Sequence, residues 1–152
     1  MTLRDRLNEA LKSAMLVKDA TALATVRLIL AALKERDIIE RGRGNSEGIN
    51  DIQITELLQS MIKQRRESSQ LYTQGGRPEL AQQELDEIEV IKQFLPKQLS
   101  AEEVAAAIDE AIAETAAAGL KDIGRVMALL RQRFAGRMDF AKVSALVRQR
   151  LG

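Results

Sequence analysis

The strongest single constraint on this chain is Pro96, in the run Phe94-Leu95-Pro96-Lys97-Gln98-Leu99-Ser100 followed by Ala101-Glu102-Glu103-Val104. Proline has no amide hydrogen and pushes the preceding residue out of the helical region, so a helix arriving through Ile88, Ile91 and Leu95 stops there. A new helix begins almost at once. Ser100 and Glu103 have the S-x-x-E spacing of a reciprocal cap, in which the hydroxyl accepts from the Glu103 amide and the carboxylate reaches back. This reading divides the chain into an N-terminal unit, residues 1–95, and a C-terminal unit, residues 96–152, joined by a hinge of about four residues. A helix corner inside one domain would leave the same trace.

Helical periodicity fills both sides of the hinge. Thr2 with Asp5 opens a first helix whose Leu3, Leu7, Leu11 and Ala14 or Met15 fall on one stripe. After the turn Val17-Lys18-Asp19, Asp19 caps a second helix, with Leu23, Val26, Leu30 and Leu33 inward through about Glu40. The stretch Arg41 to Gly48 holds three glycines in eight residues and reads as a mobile loop, its Arg41 and Arg43 either phosphate contacts or ordinary loop residues. Asn50 and Gln53 cap a third helix to about Gln74, whose inner line runs from Ile54 through Leu57 or Leu58, Met61 and Ile62 to the polar Arg65, Ser69 and Tyr72. Gly75-Gly76 ends it, and Pro78 opens a fourth helix to about residue 95, with Leu80, Glu84, Ile88, Ile91 and Leu95 on one face.

Beyond the hinge, one helix runs from Ala101 to about Ala118, with Val104, Ala105, Ile108 and Ile112 inward and Gly119 as its left-handed terminus. A second opens near Lys121-Asp122 and carries Ile123, Val126, Met127, Leu130 and Phe134 on one face until Gly136. Asp139 caps the last, in which Phe140, Val143, Leu146 or Val147 and Leu151 face inward. Gly124 lies in a first helical turn, where glycine costs about 1 kcal/mol against alanine, which predicts the close approach of another backbone. The expected fold is all-α, a four-helix unit followed by a three-helix unit.

The side-chain inventory excludes much chemistry. The chain has no cysteine and no histidine, which removes disulfides, thiolate chemistry, the usual general base and the Glu-x-x-His metal motif. One tyrosine, three phenylalanines and no tryptophan leave little for an aromatic pocket or a base-stacking platform. We expect no catalytic residue, no metal and no cofactor. The charged start Met1-Thr2-Leu3-Arg4-Asp5-Arg6 lacks an apolar signal core and no run has the length of a membrane span, so a cytoplasmic protein that does not engage membranes is expected.

Two polar groupings remain. Across the tight turn at Gly75-Gly76, Glu84 and Glu87 come near Arg65, Arg66 and Tyr72. Paired carboxylates can act as acid and base or hold a metal, but arginine partners favour an interhelical salt-bridge network that sets register over a ligand site or catalysis. The second grouping is cationic. Residues 119–152 hold eight Lys and Arg against two Asp, and Lys121, Arg125, Arg131, Arg133, Arg137, Lys142 and Arg148 are candidates for binding nucleic-acid phosphates. A solvated helix surface has the same composition.

Taken together, Phe94-Leu95-Pro96-Lys97-Gln98-Leu99-Ser100, Lys121-Asp122-Ile123-Gly124-Arg125-Val126-Met127 and Gly136-Arg137-Met138-Asp139 resemble the signature of the YqeY-like family. Arg65-Arg66-Glu67-Ser68-Ser69-Gln70-Leu71-Tyr72 and Gly76-Arg77-Pro78-Glu79-Leu80-Ala81 resemble its N-terminal half. The C-terminal part is also similar to the tail domain of the B subunit of the bacterial tRNA-dependent amidotransferase. That resemblance implies a tail that holds tRNA, apart from any catalytic domain. The carry-over falls on Lys121, Gly124, Arg125, Met127, Gly136, Arg137 and Asp139. Met138 and Phe140 depart from the usual pattern around the aspartate.

The resulting expectation is an accessory module that binds tRNA or another structured RNA through phosphates. Its alternative is an adaptor docking on an amidotransferase or an aminoacyl-tRNA synthetase. Least favoured is a carbon-nitrogen ligase with glutamine as amido-N-donor, because no nucleotide loop, thiol or Ser-x-Lys amidase arrangement is present.

Overall fold

A computed structural model describes all residues from Met1 to Gly152. Seven α-helices account for the regular structure: α1 (Leu3–Leu16), α2 (Ala20–Gly42), α3 (Asp51–Gln74), α4 (Pro78–Lys92), α5 (Ala101–Thr115), α6 (Ile123–Arg133) and α7 (Phe140–Leu151). A single 3-10 turn, Leu120–Asp122, precedes α6. The fold is all-α. The chain forms two compact units, Met1–Leu95 and Pro96–Gly152, each with its own apolar core.

Local chemistry places the helix starts. Thr2 with Asp5, Asn50 with Gln53 and Ser100 with Glu103 each form the reciprocal cap, and the Asp19 carboxylate accepts from the Ala22 amide. Asp139 caps α7 by accepting from the amides of Ala141 and Lys142. Pro78 occupies the first turn of α4, where an amide hydrogen has no acceptor to lose.

In the N-terminal unit, α3 and α4 form an antiparallel hairpin around Gly76, whose φ of +74° makes the left-handed turn. Leu7, Ile29, Ile54, Leu58 and Ile91 are fully buried where α1 and α2 close over that hairpin. Ala14 and not Met15 completes the α1 stripe, since Ala14 is buried and Met15 half-exposed. The C-terminal unit packs α5 and α7 against α6, burying Ile108, Val126, Leu130 and Val147. At the two-fold choice in α7, Val147 takes the core position and Leu146 faces outward.

Four expectations require correction. α4 stops at Lys92 rather than near residue 95: Gln93, Phe94 and Leu95 donate to carbonyls three residues back, tightening the chain ahead of Pro96. Gly119 is extended, with φ −166°, and the left-handed residue closing α5 is Ala116, at φ +52°. An alanine accepts that conformation because the Asp122 carboxylate takes the Ala118 amide at 2.9 Å and draws the chain around. No backbone approaches Gly124; a Cβ there would meet open space, so its glycine answers no packing demand. Finally, α2 continues to Gly42 rather than ending near Glu40, and two hydrogen bonds span the loop that follows: Asn45 donates through Nδ2 to the Gly48 carbonyl, and Arg41 Nε donates to the Ser46 carbonyl.

Candidate nucleic-acid interface

The eight basic residues of the final stretch, 119–152, fall into three sets once their surroundings are compared. The first set is matched by acids. Arg125 donates to Asp122 at 2.6 Å, Arg133 pairs with Glu114 at 2.5 Å, and Arg150 pairs with Asp109. Asp122 is held below the ordinary carboxylate range by the Ala118 amide first and the Arg125 guanidinium second. It therefore keeps its charge opposite Arg125. The Arg133–Glu114 pair is solvent-exposed on both sides, and such pairs contribute about 0–1 kcal/mol, so a phosphate can compete for Arg133.

Arg137 forms a set of its own. Its Nε donates to the Lys97 carbonyl at 3.0 Å, its carbonyl accepts from the Leu99 amide at 2.9 Å, and the Gly136 carbonyl accepts from Gln98 Nε2 at 2.5 Å. Three hydrogen bonds thus fasten Lys97-Gln98-Leu99 to the turn that Gly136 makes at φ +75°. Arg137 is a positioning residue, and these bonds join the segment after Pro96 to the turn before α7.

The third set is Lys121, Arg131, Lys142 and Arg148, all exposed and none in an ion pair. Arg131 lies over the Phe140 ring, its guanidinium carbon 5.9 Å from the centroid, which orients the side chain without neutralising it. Lys142 and Arg148 are six residues apart on α7 and project about 120° from each other around the helix, so the cations spread over the surface instead of forming one stripe.

The polar cluster of the N-terminal unit resolves into one pair. Arg65 Nε donates to Glu87 at 3.1 Å with both side chains largely buried, and Arg65 also donates to the Met61 carbonyl. The Ser69 hydroxyl donates to the Ala81 carbonyl, fixing the same helix pair one turn further on. Arg66 is exposed and Tyr72 half-buried, and neither enters the Arg65–Glu87 pair. Glu84 is pushed above the usual carboxylate range by burial first and by Glu87 second, against the pull of Arg65. Its ionisation therefore opposes folding from the ordinary carboxylate pKa upward. Glu84→Gln is expected to raise stability at pH 7 by no more than about 1 kcal/mol, the gain vanishing once the pH falls below about 4. Urea titrations at the two pH values check this.

The sequence reading missed Asp37 altogether. This aspartate, 5% exposed, accepts from both terminal nitrogens of Arg4 at 2.6 Å and from the Ile49 amide at 2.9 Å. Arg4 reaches on to the Ile49 carbonyl at 2.9 Å, so the pair ties α1, α2 and the entry to α3 together. The available signal was position: Asp37 falls four residues after Leu33 on the inner stripe of α2, where an apolar residue is expected. No group of three or more acidic residues is arranged to hold a metal ion, and no helix is long and apolar enough to cross a membrane.

The chain is similar to "Altered inheritance of mitochondria protein 41, mitochondrial" from several yeasts. It is 33% identical to that of Eremothecium gossypii over 105 residues, 68% of this chain and 55% of the relative. It is 32% identical to that of Clavispora lusitaniae over 104 residues, 68% and 54% respectively. For Lachancea thermotolerans the identity is 30% over 89 residues, 59% and 46%. The chain thus spans about half the length of these relatives, whose names place those proteins in mitochondria, a compartment the sequence reading did not consider. The family described as Yqey-like protein matches residues 4–151, reaching across both units and the hinge between them, and the chain belongs to that family.

Proposed function

We propose that the C-terminal unit is an RNA-binding module that grips the phosphate backbone of a structured RNA, tRNA above all, in the cytoplasm. The observation that carries this is the set Lys121, Arg131, Lys142 and Arg148, four exposed cations within residues 119–152 that have no carboxylate partner. Arg133 joins them by exchanging Glu114 for phosphate, and Arg125 contributes less because Asp122 stays ionised beside it. Base reading is minor. Phe134 and Phe140 are half-buried in the core of the unit and offer no free platform for stacking. Spread cations suit a curved, folded RNA better than an extended strand.

Four phosphate contacts release enough counterions that affinity for bulk tRNA falls by about a hundredfold between 50 and 200 mM salt. Fluorescence anisotropy with the full chain measures this. The variant Lys121→Glu, Arg131→Glu, Lys142→Glu, Arg148→Glu should lose binding, whereas Arg66→Glu on the other unit should not. Salt-independent binding, or equal binding by the fourfold variant, overturns the reading. A partner recovered equally well after nuclease treatment, an amidotransferase or aminoacyl-tRNA synthetase, would replace it with the adaptor.

A further inference from the structure

The outer face of α2 is unlike that of an ordinary surface helix. Its inner face buries Val26, Ile29 and Leu33, as an amphipathic helix should. Outside, however, Ala24, Leu28, Ala31, Glu35, Ile38 and Gly42 follow one another at alternating intervals of four and three residues, the repeat of a helix–helix seam. All six are exposed, Leu28 to 49% and Ile38 to 57%. Alanine and glycine leave the backbone open to close approach, and the two large side chains stand between them. Along one edge of this strip run Arg27, Lys34 and Arg41, seven residues apart, and none forms an ion pair. The opposite edge holds Ala32 and Ile39, with the buried Thr25 behind them, and has no acid among them.

We propose that this strip docks an amphipathic helix of a partner protein whose seam-facing side chains are apolar and whose flank toward Arg27, Lys34 and Arg41 is acidic. The edges decide between occupants. In an antiparallel two-fold pair of copies each edge meets its own counterpart, so the cationic rail would face itself. In a parallel pair the rail would face Ala32 and Ile39, which offer it no carboxylate. Like charges held opposite one another, or cations desolvated without partners, cost binding free energy. In a second copy the strip's one acid, Glu35, stands in the seam and answers at most one of the three cations, whereas a heterologous helix with an acidic flank answers all three. RNA is the poorer fit because Leu28 and Ile38 would set hydrocarbon against phosphates and riboses.

Two designed helical peptides of about 24 residues, matching the reach of α2, test the proposal on the full chain. They share one seam of leucine and alanine and differ only in a glutamate or a lysine edge. By fluorescence anisotropy the glutamate-edged peptide should bind at least about tenfold more tightly. Ile38→Asp should abolish binding of both peptides. The double variant Arg27→Glu, Lys34→Glu should reverse the preference with an unchanged melting curve, since these side chains are exposed and unpaired. Equal affinity for the two peptides, binding of neither, or no reversal overturns the proposal. So does a sedimenting dimer that Ile38→Asp dissociates, or capture of phosphatidylglycerol vesicles that Ile38→Asp abolishes while the peptides fail to bind.

Discussion

Asp37→Ala is expected to destabilise the N-terminal unit by about 2–3 kcal/mol, although no apolar contact of the core is removed. The carboxylate satisfies both terminal nitrogens of Arg4 and the Ile49 amide. Deleting it leaves a partly buried guanidinium and a buried amide short of acceptors. The same site explains Gly48, at φ +81°, where a Cβ would lie 2.2 Å from Asp37 Oδ1. Gly48→Ala should cost a comparable amount, and the two changes together less than their sum, because they break one junction. The pH dependence identifies the source. Arg4 first, and then the Ile49 amide, hold Asp37 below the usual carboxylate range. The contribution of its ionised form is thus present above the unfolded pKa of about 3.9 and is lost as the pH falls through the lower folded value. Urea denaturation followed from pH 7 downward should show Asp37→Asn converging on the wild type at the acid end. A gap independent of pH would assign the loss to packing instead.

Leu130→Ala should have a still larger functional consequence. Leu130 is fully buried at the centre of the C-terminal unit, and deleting such a side chain costs about 2.7–5 kcal/mol, depending on how far the cavity collapses. A unit of 57 residues has a small core and a correspondingly small stability, so this change is expected to unfold it at 37 °C. RNA binding should then disappear with every cation still in the chain. By contrast, the fourfold charge variant should lose binding while retaining its helical circular dichroism. If Leu130→Ala keeps full RNA affinity with its unit unfolded, the binding is diffuse polyelectrolyte attraction and needs no folded surface.

Helix starts were legible because a cap is a local event: Thr2 with Asp5, Asn50 with Gln53 and Ser100 with Glu103 each make their bonds within four residues of chain. Helix ends were less so. Ala116, and not Gly119, adopts the left-handed conformation, because the Asp122 carboxylate, four residues beyond Ala118, holds the turn. The polar cluster was half visible. Antiparallel pairing around Gly76 brings Arg65 to Glu87, but the angular position that buries Arg65 leaves Arg66 in solvent, and only packing fixes that angle.

Periodicity, caps and Pro96 by themselves determined that this chain is helical and where most of its helices begin, because those signals act between residues a few positions apart. Composition likewise determined that its surface chemistry is one of carboxylates, ammonium groups and guanidinium groups. Only the tertiary structure decided which of those charges remain available. Arg133 meets Glu114, Arg4 meets Asp37 and Arg137 meets the Lys97 carbonyl across separations of 19 to 40 residues. Charge pairing depends on distance in space, and distance along the chain does not specify it.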